Sequence, residues 1–135
     1  MLFTLVIHAA PHSLLGSTAY NAYQFAQCLL QEGHRIHRLF FYGEGVHNLN
    51  AQAITPQGEF DLPAAWQALI EQYQLDSVVC IAAALRRGVL DDNEQKRHQT
   101  PQRALANNLL TGSELSGLGQ LIDATAHSDR TITFA

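Results

Sequence analysis

Ser77-Val78-Val79-Cys80-Ile81-Ala82-Ala83-Ala84-Leu85 contains the longest uninterrupted apolar run of the chain, the eight residues from Val78 to Leu85. Its character changes half-way: branched residues surround the cysteine, and three alanines, good helix formers, follow it. A bilayer span needs about 20 apolar residues, so the run belongs inside a folded domain. The first half reads as a strand, Ser77 to Ala82, apolar on both faces as a parallel strand covered by helices on each side must be.

On the N-terminal side of that strand, Trp66, Leu69, Ile70 and Tyr73 recur at helical spacing, with Asp61 placed as N-cap and Pro63 in the first turn. Ile36 to Tyr42 reads as a strand stopped by Gly43 and Gly45, and Glu44 to Glu59 as loop. Ala22, Phe25, Ala26, Leu29 and Leu30 mark a helix with one buried face, started by Ser17 or Thr18 and ended by Gly33. Leu2 to Ile7 is a short buried strand, followed by the loop His8 to Gly16. On the C-terminal side, the polar stretch Asp91 to Arg103 is expected at the surface, with a short strand near Asn108 to Thr111. Ser113 or Ser116 caps a last helix running to about His127, and Thr131 to Phe134 is the closing strand. Strands alternating with helices predict parallel pairing through right-handed crossovers. The fold class is therefore α/β: a three-layer α/β/α domain, flavodoxin-like in architecture, with a mainly parallel sheet of about five strands. Ligand chemistry in such sheets lies beyond the carboxyl ends of the strands.

The chain has 135 residues, close to the roughly 150 of one domain, so residues 1–135 are expected to form a single unit. Folding should hide about two-thirds of the open chain's surface, enough for a core without disulfide or metal staples. Eight Lys and Arg against twelve Asp and Glu leave a net charge of -4, which argues against direct nucleic-acid binding. Met1 to Ile7 lacks the basic start and the small-residue cleavage site of a signal peptide, so a cytoplasmic location and no membrane association are expected. Two cysteines in a reducing compartment are more readily packed or reactive than paired.

Cys80 falls at or near the carboxyl end of the central strand. If a helical turn starts there, the thiol faces amides whose partial charge favours a thiolate. Arg86 and Arg87 follow six and seven residues later, about 9 Å along a helix and near the Debye length, so their direct effect on the sulfur is expected to be small. The alternative is that Cys80 is simply a small buried hydrophobe. Cys28 sits about 130° around its helix from the apolar stripe, facing edge or solvent, with nothing to activate it. Among the seven histidines, His8 and His12 flank the loop after the first strand, on the side of Cys80, and read as loop polar residues. No histidine forms a zinc-ligand spacing with cysteine or carboxylate, so no metal is expected. Gly16-Ser17-Thr18 reads as a helix cap in preference to a phosphate cradle. A serine hydrolase lacks its Gly-x-Ser-x-Gly elbow here, and Ser116-Gly117-Leu118-Gly119 reads as a helix start packed closely on the sheet.

Five segments, in order along nearly the whole chain, resemble the DsrE-like sulfurtransferases, the TusD type among them. They are Tyr23-Gln24-Phe25-Ala26-Gln27; Phe40-Phe41-Tyr42 with Glu44-Gly45-Val46; Phe60-Asp61-Leu62 with Trp66; Cys80 through Val89; and Leu115-Ser116-Gly117-Leu118-Gly119. The cysteine followed by alanines and Arg86-Arg87-Gly88-Val89 is the specific signature. His8-Ala9-Ala10-Pro11-His12 departs from the family's shorter, glycine-bearing stretch. The resemblance implies that Cys80 carries sulfur as a persulfide, with no metal or organic cofactor. It implies an upstream persulfide donor and a downstream carrier with a C-terminal cysteine. It also implies a heterohexamer with TusB-like and TusC-like paralogues, and sulfur destined for the 2-thio group of tRNA wobble uridine. Two rivals are a DsrE-type role in dissimilatory sulfur oxidation and a non-catalytic partner subunit.

Overall fold

Leu2–Ile7 forms strand β1, buried at every residue but the first. The computed structural model describes residues 1–12 and 17–135, so Gly16 and the rest of its loop from residue 13 lie outside the described residues. Helix α1 (Thr18–Gln31) is capped by Ser17, whose side chain accepts from the Tyr20 amide at 2.9 Å. It ends ahead of Gly33, at a left-handed φ of 84° that a residue with a Cβ adopts only under strain. Strand β2 (Arg35–Phe41) and helix α2 (Leu62–Tyr73) follow, the latter capped by Asp61, which accepts from the Ala64 amide at 3.2 Å. Next come β3 (Ser77–Cys80), α3 (Ile81–Arg86), α4 (Asp92–His98), β4 (Ser113–Ser116), α5 (Gly119–His127) and β5 (Arg130–Phe134).

Three local expectations need correction. Gly43–Leu49 is a 3-10 helix, because Val46, Asn48 and Leu49 turn inward and are fully buried. The polar stretch Asp91 to Arg103 lies largely at the surface as expected, and holds a helix, α4, whose Asp91 cap accepts from the Glu94 amide. Ser113–Ser116 is a strand where a helix cap was expected, and α5 starts later, at Gly119. Asn108 to Thr111 pairs only through an isolated bridge between Leu109 and Asn50, since the Asn108 side chain instead receives the Leu90 amide and donates to Gly88 O.

All strand pairs are parallel, in the order β4-β3-β2-β1-β5. The crossovers from β1 to β2, β2 to β3 and β3 to β4 step in one direction, so right-handedness puts α1, α2 and the α3–α4 segment on one face. The crossover from β4 to β5 steps back across the whole sheet, which sends α5 to the opposite face. Side chains agree: Phe3 packs edge-on against Phe25 of α1 and Phe41 against Trp66 of α2, while neighbouring Thr4 donates to Ala124 O of α5. The three layers are thereby complete, and the α/β class stands.

The α5 layer is anchored by one arginine. The β1–β2 register shifts at His37, so that Arg38 pairs with Thr4 and points at α5. Its guanidinium donates to Asp76 Oδ2 through Nε (3.0 Å) and Nη2 (2.6 Å) and to Gln120 O through Nη1 (2.7 Å). The Arg38 side chain is 10% exposed and that of Asp76 is 42% exposed. Asp76→Ala should therefore cost about 1–2 kcal/mol, below the range for a fully buried pair because water screens the carboxylate. A lower urea midpoint at unchanged slope is the expected reading.

Candidate functional site

Strand alternation decides where Cys80 points. Phe41 pairs with Val79 and faces α2, so Val78 and Cys80 turn to the other face, together with Phe40 of β2 and Tyr42, the extended residue just beyond it. Cys80 ends β3 opposite Ser116, the last residue of β4. From there the chain leaves β3 for the α1 and α2 side, whereas it leaves β4 for the α5 side. Two adjacent strands with connections departing to opposite faces form the topological switch point at which open α/β sheets place their ligand crevice.

A crevice of ≈ 550 Å³ opens at that point. Its floor is Cys80 and the first turn of α3, one wall is Tyr42 and Gly43, and the other is Gly117 and Leu118. Arg86 and Arg87 close the end. It has about twice the volume of the crevice between Leu85, Leu90 and Arg103, which is ≈ 270 Å³ and has no cysteine in its lining. Cys80 is only 3% exposed. The sulfur is thus recessed, open to a thin extended group and closed to a flat protein surface.

Cys80 is the N-cap of α3, as the change of character within the apolar run predicts, but its side chain makes no capping hydrogen bond. Strand alternation aims the thiol into the crevice, whose floor the first turn of α3 shares. Both arginines line the same crevice as Cys80, because helical side chains lean toward the N-terminus. Arg87 Nη1 reaches back one turn to donate to Ala83 O at 3.1 Å, and its Nε donates to Glu44 Oε1 at 2.9 Å. The Arg87 guanidinium holds the Glu44 carboxyl below the usual carboxylate range, helped by His47. Since the folded value is depressed, this tie persists below the pH at which a free glutamate takes up its proton, and is lost as pH falls through the lowered value. Arg86 is exposed and enters no hydrogen bond or ion pair among the described residues.

The remaining candidates separate cleanly. Cys28 is exposed on α1 and is not part of the Cys80 crevice lining. The His8 ring packs edge-on against Tyr42 at 4.8 Å, so it buttresses the crevice wall, while His12 lies beside Pro11, Thr55 and Pro56 in another depression. Gly117 and Gly119 have open space where a Cβ would sit, so neither brings a helix close to the sheet as expected. Among the described residues no three His, Cys, Asp or Glu side chains gather to hold a metal, and no helix is long and apolar enough to cross a membrane. Tyr42 and Leu118 were missed as crevice walls, because sharing a face with Cys80 depends on strand order and register.

The DsrE/DsrF-like family model matches residues 1–134. The chain belongs to the DsrE/DsrF-like family. Its relatives include a sulfurtransferase TusD homolog of Pseudomonas aeruginosa, 48% identical over 99% of this chain and 97% of that one. A sulfurtransferase TusD of Serratia proteamaculans is 50% identical over 86% of this chain and 87% of its own. A putative sulfurtransferase DsrE of Allochromatium vinosum is 41% identical over 99% and 98%. This DsrE-family chain is accordingly a sulfurtransferase. The crystal structure of the ychN protein from E. coli superposes with a TM-score of 0.71 at 17% identity, covering 99% of this chain and all of that one, which bears out the fold.

Proposed function

We propose that the chain accepts sulfane sulfur on Cys80 as a persulfide and passes it to a carrier protein with a C-terminal cysteine, feeding 2-thiolation of tRNA wobble uridine. The observation that carries this reading is a single recessed thiol at the floor of the switch-point crevice, with the other cysteine exposed on a helix flank. The Cys80 thiolate attacks the outer sulfur of the donor persulfide. The donor's S–S bond breaks, its electron pair leaves with the donor thiolate, and Cys80 holds the persulfide. The carrier thiolate then attacks that same outer sulfur and regenerates the Cys80 thiolate. Sulfur moves twice without net oxidation, so neither metal nor organic cofactor is required.

The assembly proposed for this step is a heterohexamer with TusB-like and TusC-like paralogues in the cytoplasm. Leu118 at 47% exposure and Ile122 at 70% leave apolar surface on the α5 side, and Phe60 at 55% does so on the other. Net charge -4 favours handing sulfur to a protein over touching tRNA directly. A second reading keeps the chemistry and places it in dissimilatory sulfur oxidation; the 41% identity to a putative sulfurtransferase DsrE supports it.

Labelled sulfur supplied from a persulfidated donor to the chain, its paralogues, the carrier and tRNA tests the order. Label should appear on this chain, then on the carrier, then in tRNA. Label that reaches the carrier through Cys80→Ser protein at the wild-type rate would overturn the proposal. Label that stops at the carrier would favour the sulfur-oxidation reading.

A further inference from the structure

We propose that Arg86 binds the terminal carboxylate of the tail that exchanges sulfur with Cys80, and so selects a cysteine at a chain end over one within a chain. The inference rests on the persulfide reading of Cys80. Three observations lead to it. Cys80 is 3% exposed at the floor of a ≈ 550 Å³ crevice, so its partner must enter as an extended segment. Arg87 is committed, with Glu44 against its Nε and Ala83 O against its Nη1. Arg86 lines the same crevice, is exposed, and has no hydrogen-bond or ion-pair partner among the described residues.

The rim thus carries one offset cation and one unoffset cation, a local positive charge on a chain of net charge -4. In a cysteine that ends a chain, carboxylate and sulfur hang on the same Cα. A guanidinium beside Cys80 can therefore hold the carboxylate in its planar fork while the sulfurs meet. A cysteine within a chain presents a neutral amide at that place. Arg86 breaks and forms no covalent bond in this role; it is a specificity residue, and its effect belongs in KM.

The test uses the chain loaded with sulfur, its occupancy measured by mass spectrometry, and a short synthetic acceptor peptide ending in cysteine, with either a free or an amidated C-terminus. Wild type should show a KM about tenfold higher for the amidated peptide, as loss of a charge-assisted pair at a partly exposed site implies. Arg86→Gln should show the raised KM for both peptides and discriminate less than twofold, and Arg86→Lys should restore part of the preference. Arg87→Gln should retain the preference. Added salt should weaken discrimination by wild type.

Equal KM values for the two peptides in wild type, or a preference that survives Arg86→Gln, would sink the assignment while leaving Cys80 loaded. Failure of wild type to load at all would instead sink the persulfide reading and this inference with it. Loss of the preference in Arg87→Gln alone would transfer the role to Arg87 and refute the proposal as made.

Discussion

Cys80→Ser protein is expected to lose sulfur uptake from a persulfidated donor by about a thousandfold or more, to the floor of detection, whereas Cys28→Ser protein stays within about twofold of wild type. A serine hydroxyl is not ionised at neutral pH and forms no stable bond to sulfane sulfur under these conditions, so substitution removes the acceptor itself. Cys28 lies exposed on α1 and lines no crevice with the arginines. Mass spectrometry after donor incubation should find one added sulfur on the Cys80 peptide only. Serine places a hydroxyl at a position 3% exposed, so Cys80→Ala serves as the companion variant and should be equally inactive while folded. Comparable labelling of wild type and both variants would refute Cys80 as the acceptor.

The second large effect concerns a glycine at the base of the crevice wall. A Cβ on Gly45 would stand 1.9 Å from Ile7 O and 2.7 Å from Ile7 C, both backbone atoms at the end of β1. Backbone at the sheet centre cannot give way as a surface side chain does, because Ile7 O already accepts the Tyr42 amide at 3.0 Å. Gly45→Ala should therefore destabilise by about 3 kcal/mol or more, at the upper end of overpacking costs, and lower Tm by roughly 10 °C. Sulfur transfer should drop with it, since the displaced segment carries Tyr42 and Gly43. Gly43→Ala is the informative contrast. Its Cβ would meet only His8 Nδ1 at 3.6 Å, and its cost is confined to a left-handed φ of 56°, roughly 1–2 kcal/mol. Equal melting temperatures for the two variants would show that the β1 end yields more readily than its hydrogen bonding implies.

The legible parts of this fold are those in which burial imposes a period. Trp66, Leu69 and Ile70 lie on the inward side of α2 and are buried as their spacing predicts, Tyr73 at the helix end is exposed against it, and Asp61 caps the start. Ser113–Ser116 has a single leucine at the sheet edge and no buried residue, so neither period registers and the serines resemble caps. Asn48 reads as a loop residue by composition, yet it is fully buried and donates to Ala9 O and Gly45 O, pinning the loop after β1 to the 3-10 helix. Its signal lies in contacts across 39 residues, which no local window contains. Cys80 was legible for a similar reason in reverse, because the strand end and the helix start sit within one continuous run. The walls around it come from the segments that follow β2 and β4, and only the order of strands brings them together.

That order also fixes a sequence of events during synthesis. β1 is made first and β5 last of the five strands, yet they are neighbours, with Phe3 to Ile7 paired against Arg130 to Phe134. At about 5–20 residues per second, β1 waits on the order of ten seconds for that partner. Through that interval one edge of β1 is unpaired, and the sheet face later covered by α5 is bare. Cys80 is therefore most open to oxidants and stray thiols while the ribosome still holds the chain, and the recess that confines its reactivity exists only once the final crossover has closed.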